Sequence, residues 1–240
     1  MIIEGAVGAL LLATPAPEAL ILSLSSDTVE IESNFTGASI AVFGAIDGMT
    51  VADPEALEIV IVVRGPEETV TVRRRERVLG LWLNAASRTL DDLPAFYSLH
   101  ASAPLGEIAD EATREALGLG LDAITVALDG SFAEAAVRLR REDNLFDEDE
   151  GNVEWLGAGV FRVGVELPAN VPIGDYAVEA YLFDDGVVAG TAERPLTVVK
   201  TGTEQFIAEA AFEQPWLYAI VMVSFAVAAG WLGGVIFRRD

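Results

Sequence analysis

Apolar and polar positions alternate along most of this chain. Phe161-Arg162-Val163-Gly164-Val165-Glu166-Leu167 and Tyr176-Ala177-Val178-Glu179-Ala180-Tyr181-Leu182 put an apolar residue at every second position, the period of a half-buried strand. Residues 20–24 and 29–32 nearly do the same, while 40–44 and 59–63 are short apolar runs that read as buried strands. Gly65-Pro66-Glu67-Glu68 is a turn signal, and Thr69-Val70-Thr71-Val72 is then the expected hairpin partner of 59–63. Residues 79–83 and 96–99 continue the strand pattern, and Asp184-Asp185-Gly186 turns the chain into a strand from Val187. Short strands separated by turn signals predict a mainly β fold, an immunoglobulin-like antiparallel β-sandwich over residues 20–200. Helical spacing interrupts it at 104–117 and 131–141, which predicts a short helical insertion at about 103–143.

The pattern changes again at the end of the chain. Trp216 to Phe237 is 22 residues without a charge. As a helix it would span about 33 Å, enough for the hydrocarbon core of a bilayer. Pro215 suits the first helical turn, and Trp216 and Tyr218 suit a membrane interface. The expected organisation is a signal-peptide-like segment at 1–19, a β-sandwich domain at 20–200 and a juxtamembrane segment at 201–214. A transmembrane helix at 215–237 and a tail at 238–240 follow. Arg238 and Arg239 on one flank, against Glu209 and Glu213 on the other, place the tail in the cytoplasm and the domain in the periplasm. The apolar run at 6–13 resembles the end of a signal peptide, but the basic segment that should precede it is missing.

Composition then removes whole classes of function. Lys and Arg total 15 against 38 Asp and Glu, a formal charge of −23, so no nucleic-acid partner is expected. There is no Cys, which excludes disulfides and thiol chemistry, and a single His. His100 stands near Ser98 and Ser102, yet no Gly-x-Ser-x-Gly elbow accompanies it, and a structural role is expected. Asp143-Asn144 with Asp147-Glu148-Asp149-Glu150-Gly151-Asn152, read as an acidic loop, has oxygen ligands suited to calcium but not the EF-hand order; a solvated loop is expected. No metal, cofactor or catalytic set is expected.

Three features remain. Arg73-Arg74-Arg75-Glu76-Arg77 is the basic cluster of an acidic domain. On a strand, Arg73, Arg75 and Arg77 share one face, a candidate site for an anion or a docking partner. Ala226, Gly230 and Gly234 recur every four residues and make a candidate helix-packing face. In Val171-Pro172-Ile173-Gly174-Asp175-Tyr176, the ring of Tyr176 is expected in the core with its hydroxyl on loop backbone, as in a tyrosine corner. Trp82 is likewise expected in the core.

Several stretches taken together, among them Phe43-Gly44-Ala45-Ile46, Val62-Val63-Arg64-Gly65-Pro66, Arg73 to Val78, Leu167 to Tyr176 and Gly230-Trp231, resemble the uncharacterised alphaproteobacterial transmembrane protein family. The resemblance runs from about residue 20 to the end. It implies a bacterial inner-membrane protein with a periplasmic domain, encoded near permeases of the sulfite/sulfonate exporter type, and it transfers no catalytic residue. The expected function is that of a non-enzymatic, single-pass accessory or assembly subunit of a membrane complex, with a transporter such as a permease as partner, or self-association through the helix. The alternative is a membrane-anchored periplasmic anion- or metal-binding module.

Overall fold

The apolar run at 59–63 sits at the centre of the fold, with Ile59, Val60, Ile61 and Val62 all fully buried. A strand buried on both faces needs a layer on each side, which is why its sequence does not alternate. The computed structural model describes residues 20–33, 35–47, 57–78, 81–128, 131–157, 159–201 and 215–236. Side chains at 74–78, 81–86, 215, 217–218, 221, 225, 229 and 232–236 are outside that description. The chain divides into two units, one of residues up to 29 with 36–198, the other of 30–35 with residues from 199 onward.

In the larger unit, one sheet has the order β1 (Leu20–Leu24), β3 (Gly37–Ile46), β10 (Val160–Pro168), β9 (Glu154–Gly157). A second has the order β2 (Thr28–Ile31), β12 (Val187–Lys200), β11 (Gly174–Asp184), β4 (Leu57–Arg64), β7 (Tyr97–Ala101), β8 (Phe146–Glu150). The inward rows Leu22, Val42, Phe161, Val163 and Val165 of the first and Ile59, Ile61, Val178, Ala180 and Leu182 of the second make the core. At one margin Arg194 on β12 donates from Nε to the carbonyl of Leu22 on β1 at 2.9 Å, tying the sheets together. Gly44 is required where it stands, because a Cβ there would overlap the ring of Phe161 on the neighbouring strand.

Two pairings differ from expectation. Thr69–Val72 does not return along β4. Instead β5 (Glu67–Val78) pairs with β6 (Leu81–Pro94) as a separate two-stranded ribbon. β4 takes β11 and β7 as its neighbours. The ribbon leaves and re-enters beside the sheet, where Gly65 N donates to Phe96 O and Ala95 N to Pro66 O, both at 2.8 Å. The second difference is that β7 and β8 are parallel, so the larger sheet is mixed rather than antiparallel. Parallel neighbours need a long crossover, and the helical insertion supplies it.

Among its described residues that insertion holds four helices, α1 (Leu105–Ile108), α2 (Glu111–Leu117), α3 (Leu121–Leu128) and α4 (Ser131–Glu142), where the spacing suggested two. The expected helix at 104–117 breaks because Asp110 accepts from Thr113 N at 2.8 Å and starts a new helix as its cap. Buried Leu105, Ile108, Leu121, Ile124 and Val137 give the insertion its own apolar layer. Tyr97, Leu99 and Ala101, which share a face with Val62 and Arg64, are also fully buried.

In the smaller unit Thr201 N donates to Ile31 O at 3.0 Å, and α5 (Pro215–Ile236) is a 22-residue helix. Over the described residues alone, no helix is long and apolar enough to cross a membrane. The sequence of α5 is uncharged from 215 to 236. The expected segments at 1–19, 202–214 and 238–240, and the side chain of Trp82, lie outside the described residues.

Candidate functional site

Of the candidate arginines, Arg73 is exposed on β5, and the side chains of Arg75 and Arg77 lie outside the described set. The backbone ladder sets the three opposite Ser87, Asn84 and Trp82. The register slips between Arg74 and Arg75, leaving Ala85 of β6 as the extra residue, so β5 itself runs on without a bulge. The base of the ribbon is held down. Val72, Leu90 and Leu93 are buried, Thr69 donates to Asp91 at 3.1 Å, and Glu68 pairs with Arg140 of α4.

Two polar clusters flank β7, on opposite faces because neighbouring strand residues point opposite ways. On the helical side, the hydroxyl of buried Tyr97 donates to Gly118 O at 3.1 Å and accepts from Gly120 N at 2.9 Å. Arg64, paired with Tyr97 in the ladder, donates from Nη2 to Leu117 O at 2.9 Å and Gly118 O at 3.0 Å. Its guanidinium lies 5.4 Å from the Tyr97 ring centroid and its Nε 3.1 Å from Glu179 Oε2. Tyr181 donates to the same carboxylate at 2.9 Å, and burial pushes its phenol up to about 12. The carbonyls that Arg64 meets are the end of α2, closed by Gly118 in the left-handed region at φ 64°. A helix C-terminus with orphan carbonyls attracts a cation. This cluster joins the insertion to the sheet. Nothing in the pattern marked Arg64, Tyr97 or Glu179 beforehand, beyond a charge ending an apolar strand.

On the core side Ser98 Oγ and His100 Nε2 are 2.9 Å apart, with the two residues 2% and 4% exposed. Asn152 Nδ2 lies 2.8 Å from both His100 Nδ1 and Asp149 Oδ2. The carboxylate fixes the amide nitrogen at that position, since an oxygen there would face another acceptor. Asn152 therefore donates to Nδ1, the proton of a neutral ring sits on Nε2, and His100 donates to Ser98. A serine that accepts from its histidine is not activated for attack, which needs the reverse polarity. Burial holds His100 below the usual imidazole range, against the opposing pull of Asp147 and Asp149. The pair is a satisfied polar element of the core.

The expected acidic loop keeps turns at 143–144 and 151, but its central run 147–150 is a strand. This strand is β8, parallel to β7, with Asp147 and Asp149 opposite Ser98 and His100, and Glu148 and Glu150 opposite Leu99 and Ala101. Successive carboxylates therefore go to opposite faces and cannot converge on one cation. Burial raises the pKa of Glu148, while a hydrogen bond from the Leu121 backbone opposes the rise. Among the described residues no group of three or more His, Asp or Glu is placed to hold a metal ion. A groove of about 790 Å³ is lined by Ser39, Arg141 and Asn144 together with the carboxylates of Asp147 and Glu166.

Along α5, Trp216, Ile220, Val223, Val227 and Trp231 are each 59–68% exposed. Ala226 and Gly230 are exposed, nothing lies within 4 Å of a Cβ placed on Gly230, and Gly234 continues the row in the backbone. Ser224 donates its hydroxyl to Ile220 O at 2.7 Å.

A family model described as "Putative transmembrane protein (Alph_Pro_TM)" matches residues 19–239. None of the curated proteins matches the chain.

Proposed function

The chain belongs to the family described as "Putative transmembrane protein (Alph_Pro_TM)", and from that premise we propose that it is a single-pass inner-membrane protein with a periplasmic β domain. The observation that carries this is α5. Its 22 residues hold no charge, large apolar side chains stand exposed along it, and its serine hydroxyl is satisfied within the helix. Water would oppose such a surface, and lipid favours it. Arg238 and Arg239 at the end of the chain support a cytoplasmic C-terminus. The corner made by Tyr176 supports an immunoglobulin-like reading of the sandwich.

The domain's role, in this reading, is non-enzymatic. It serves as an accessory or assembly module for a membrane partner, with a permease-type transporter the leading class. The polar clusters around β7 join and stiffen the fold, and the row Ala226, Gly230, Gly234 offers a helix face on which another helix can pack closely. Cross-linking the full chain in its own membrane and identifying the adduct tests the reading. A polytopic membrane protein or a second copy is expected. A full-length chain that yields no adduct and purifies alone in mild detergent overturns the accessory role.

A further inference from the structure

The ribbon of β5 and β6 combines a basic cluster with an apolar stretch. Residues 70–89 carry five arginines and one glutamate, a net +4, within a chain of formal charge −23. Between Arg77 and Arg88 lie Val78, Leu79, Leu81, Trp82 and Leu83. At the far end of the described ladder Val78 stands opposite Leu81, Arg77 opposite Trp82 and Glu76 opposite Leu83, with Arg73 and Arg75 nearer the base, so apolar and arginine-bearing positions share that end of the ribbon. From buried Val72 to Val78 is six residues, roughly 20 Å of strand. Neither strand pairs with a third among the described residues, and an isolated two-stranded hairpin is marginal in water. We propose that the far end of this ribbon docks on an anionic phospholipid surface, with the apolar end in the interface and the arginines at the headgroup phosphates.

Two chemistries have to be met at once, and a lipid surface meets both. Guanidinium groups bind phosphate oxygens as paired forks. An apolar stretch with a tryptophan favours the boundary between headgroups and acyl chains. Long basic side chains at such a boundary keep their charge in the headgroups while their stems cover apolar surface. The strong negative charge elsewhere on the chain opposes contact with the same surface, so docking is confined to this ribbon. The inference rests on the membrane reading above and adds a second contact to it.

The chain has no cysteine, so a single introduced thiol is unique. Full-length Leu81→Cys and Val223→Cys, each labelled with an environment-sensitive dye, would be reconstituted in phosphatidylglycerol-containing vesicles and in pure phosphatidylcholine. The Leu81→Cys label should be quenched by spin-labelled lipid and shielded from iodide in the anionic vesicles, and less so in phosphatidylcholine. At about fivefold per arginine, replacing Arg73, Arg75 and Arg77 by Gln should lower the docked-to-free ratio about a hundredfold. A melting curve unchanged by those replacements guards against simple misfolding. Iodide access at Leu81→Cys in anionic vesicles, with Val223→Cys still lipid-quenched, overturns this inference and leaves the anchor standing. Iodide access at both overturns the anchor as well. Shielding of Leu81→Cys in the cell's own membranes but not in lipid alone overturns lipid docking in favour of a protein partner.

Discussion

The hydroxyl of Tyr176 donates to the carbonyl of Pro172, four residues earlier, at 2.5 Å, while the residue is 3% exposed and its ring lies 5.8 Å from that of Phe96. One side chain thus fixes the loop before β11 and fills the core beneath it. Tyr176→Phe, which loses the hydroxyl alone, should cost about 1 kcal/mol. Tyr176→Ala should cost about 3 kcal/mol or more, as for other large buried aromatics. Denaturant melts of the full chain in detergent read both. Equal melts for wild type and Tyr176→Ala would contradict this packing.

Tyr97 makes the corresponding joint to the helical insertion. Tyr97→Phe removes the acceptor of Gly120 N and a donor to Gly118 O. An unsatisfied buried group costs about 1–3 kcal/mol. Amide exchange at Gly120 should therefore quicken more than exchange in β10, which lies in the other sheet. A uniform change across both would show that the contact is not local.

The strand pattern was legible where one face is wet and one dry. β10 and β11 alternate in burial as their letters alternate, and Tyr176 sat where its loop predicted. Strand pairing was not legible. Residues 69–72 follow 59–63 so closely that a hairpin was the natural expectation, yet β4 pairs with β11, more than a hundred residues on. The same distance hid Arg64–Glu179. The run 147–150 looked like a loop because its charges mask a strand, which is stabilised by pairing with β7 rather than by its own composition. Residues 121–128, apolar but for Asp122 and Thr125, form a helix, and short mainly apolar runs do not declare their type.

His100 gives a pH dependence with a defined sign. Its folded pKa is below the unfolded value of about 6.5. Between the two values the unfolded chain binds more protons, so stability is fully present above about pH 6.5 and is lost as pH falls below it. The groups around the ring are Ser98, Asn152, Asp147 and Asp149. His100→Gln should flatten the loss below about pH 6.5, where one fully unmatched proton amounts to about 1.4 kcal/mol per pH unit. Parallel curves for the variant and the wild type over that window would contradict a buried neutral ring.

The helix face is tested by size. Gly230→Leu keeps α5 apolar but fills the row formed with Ala226 and Gly234, while Val227→Leu lies off it. Cross-linked species should weaken severalfold, about 1 kcal/mol or more, in the first, where close backbone approach is lost, and persist in the second. If both variants cross-link like the wild type, α5 anchors without recognising another helix.

Topology is the most direct test of the central claim. An enzyme active only in the cytoplasm, fused after Lys200, should be silent, and one active only in the periplasm should be bright at the same junction. The cytoplasmic reporter should work when fused after Asp240. Strong cytoplasmic activity after Lys200 would contradict both the orientation and the periplasmic role built on it.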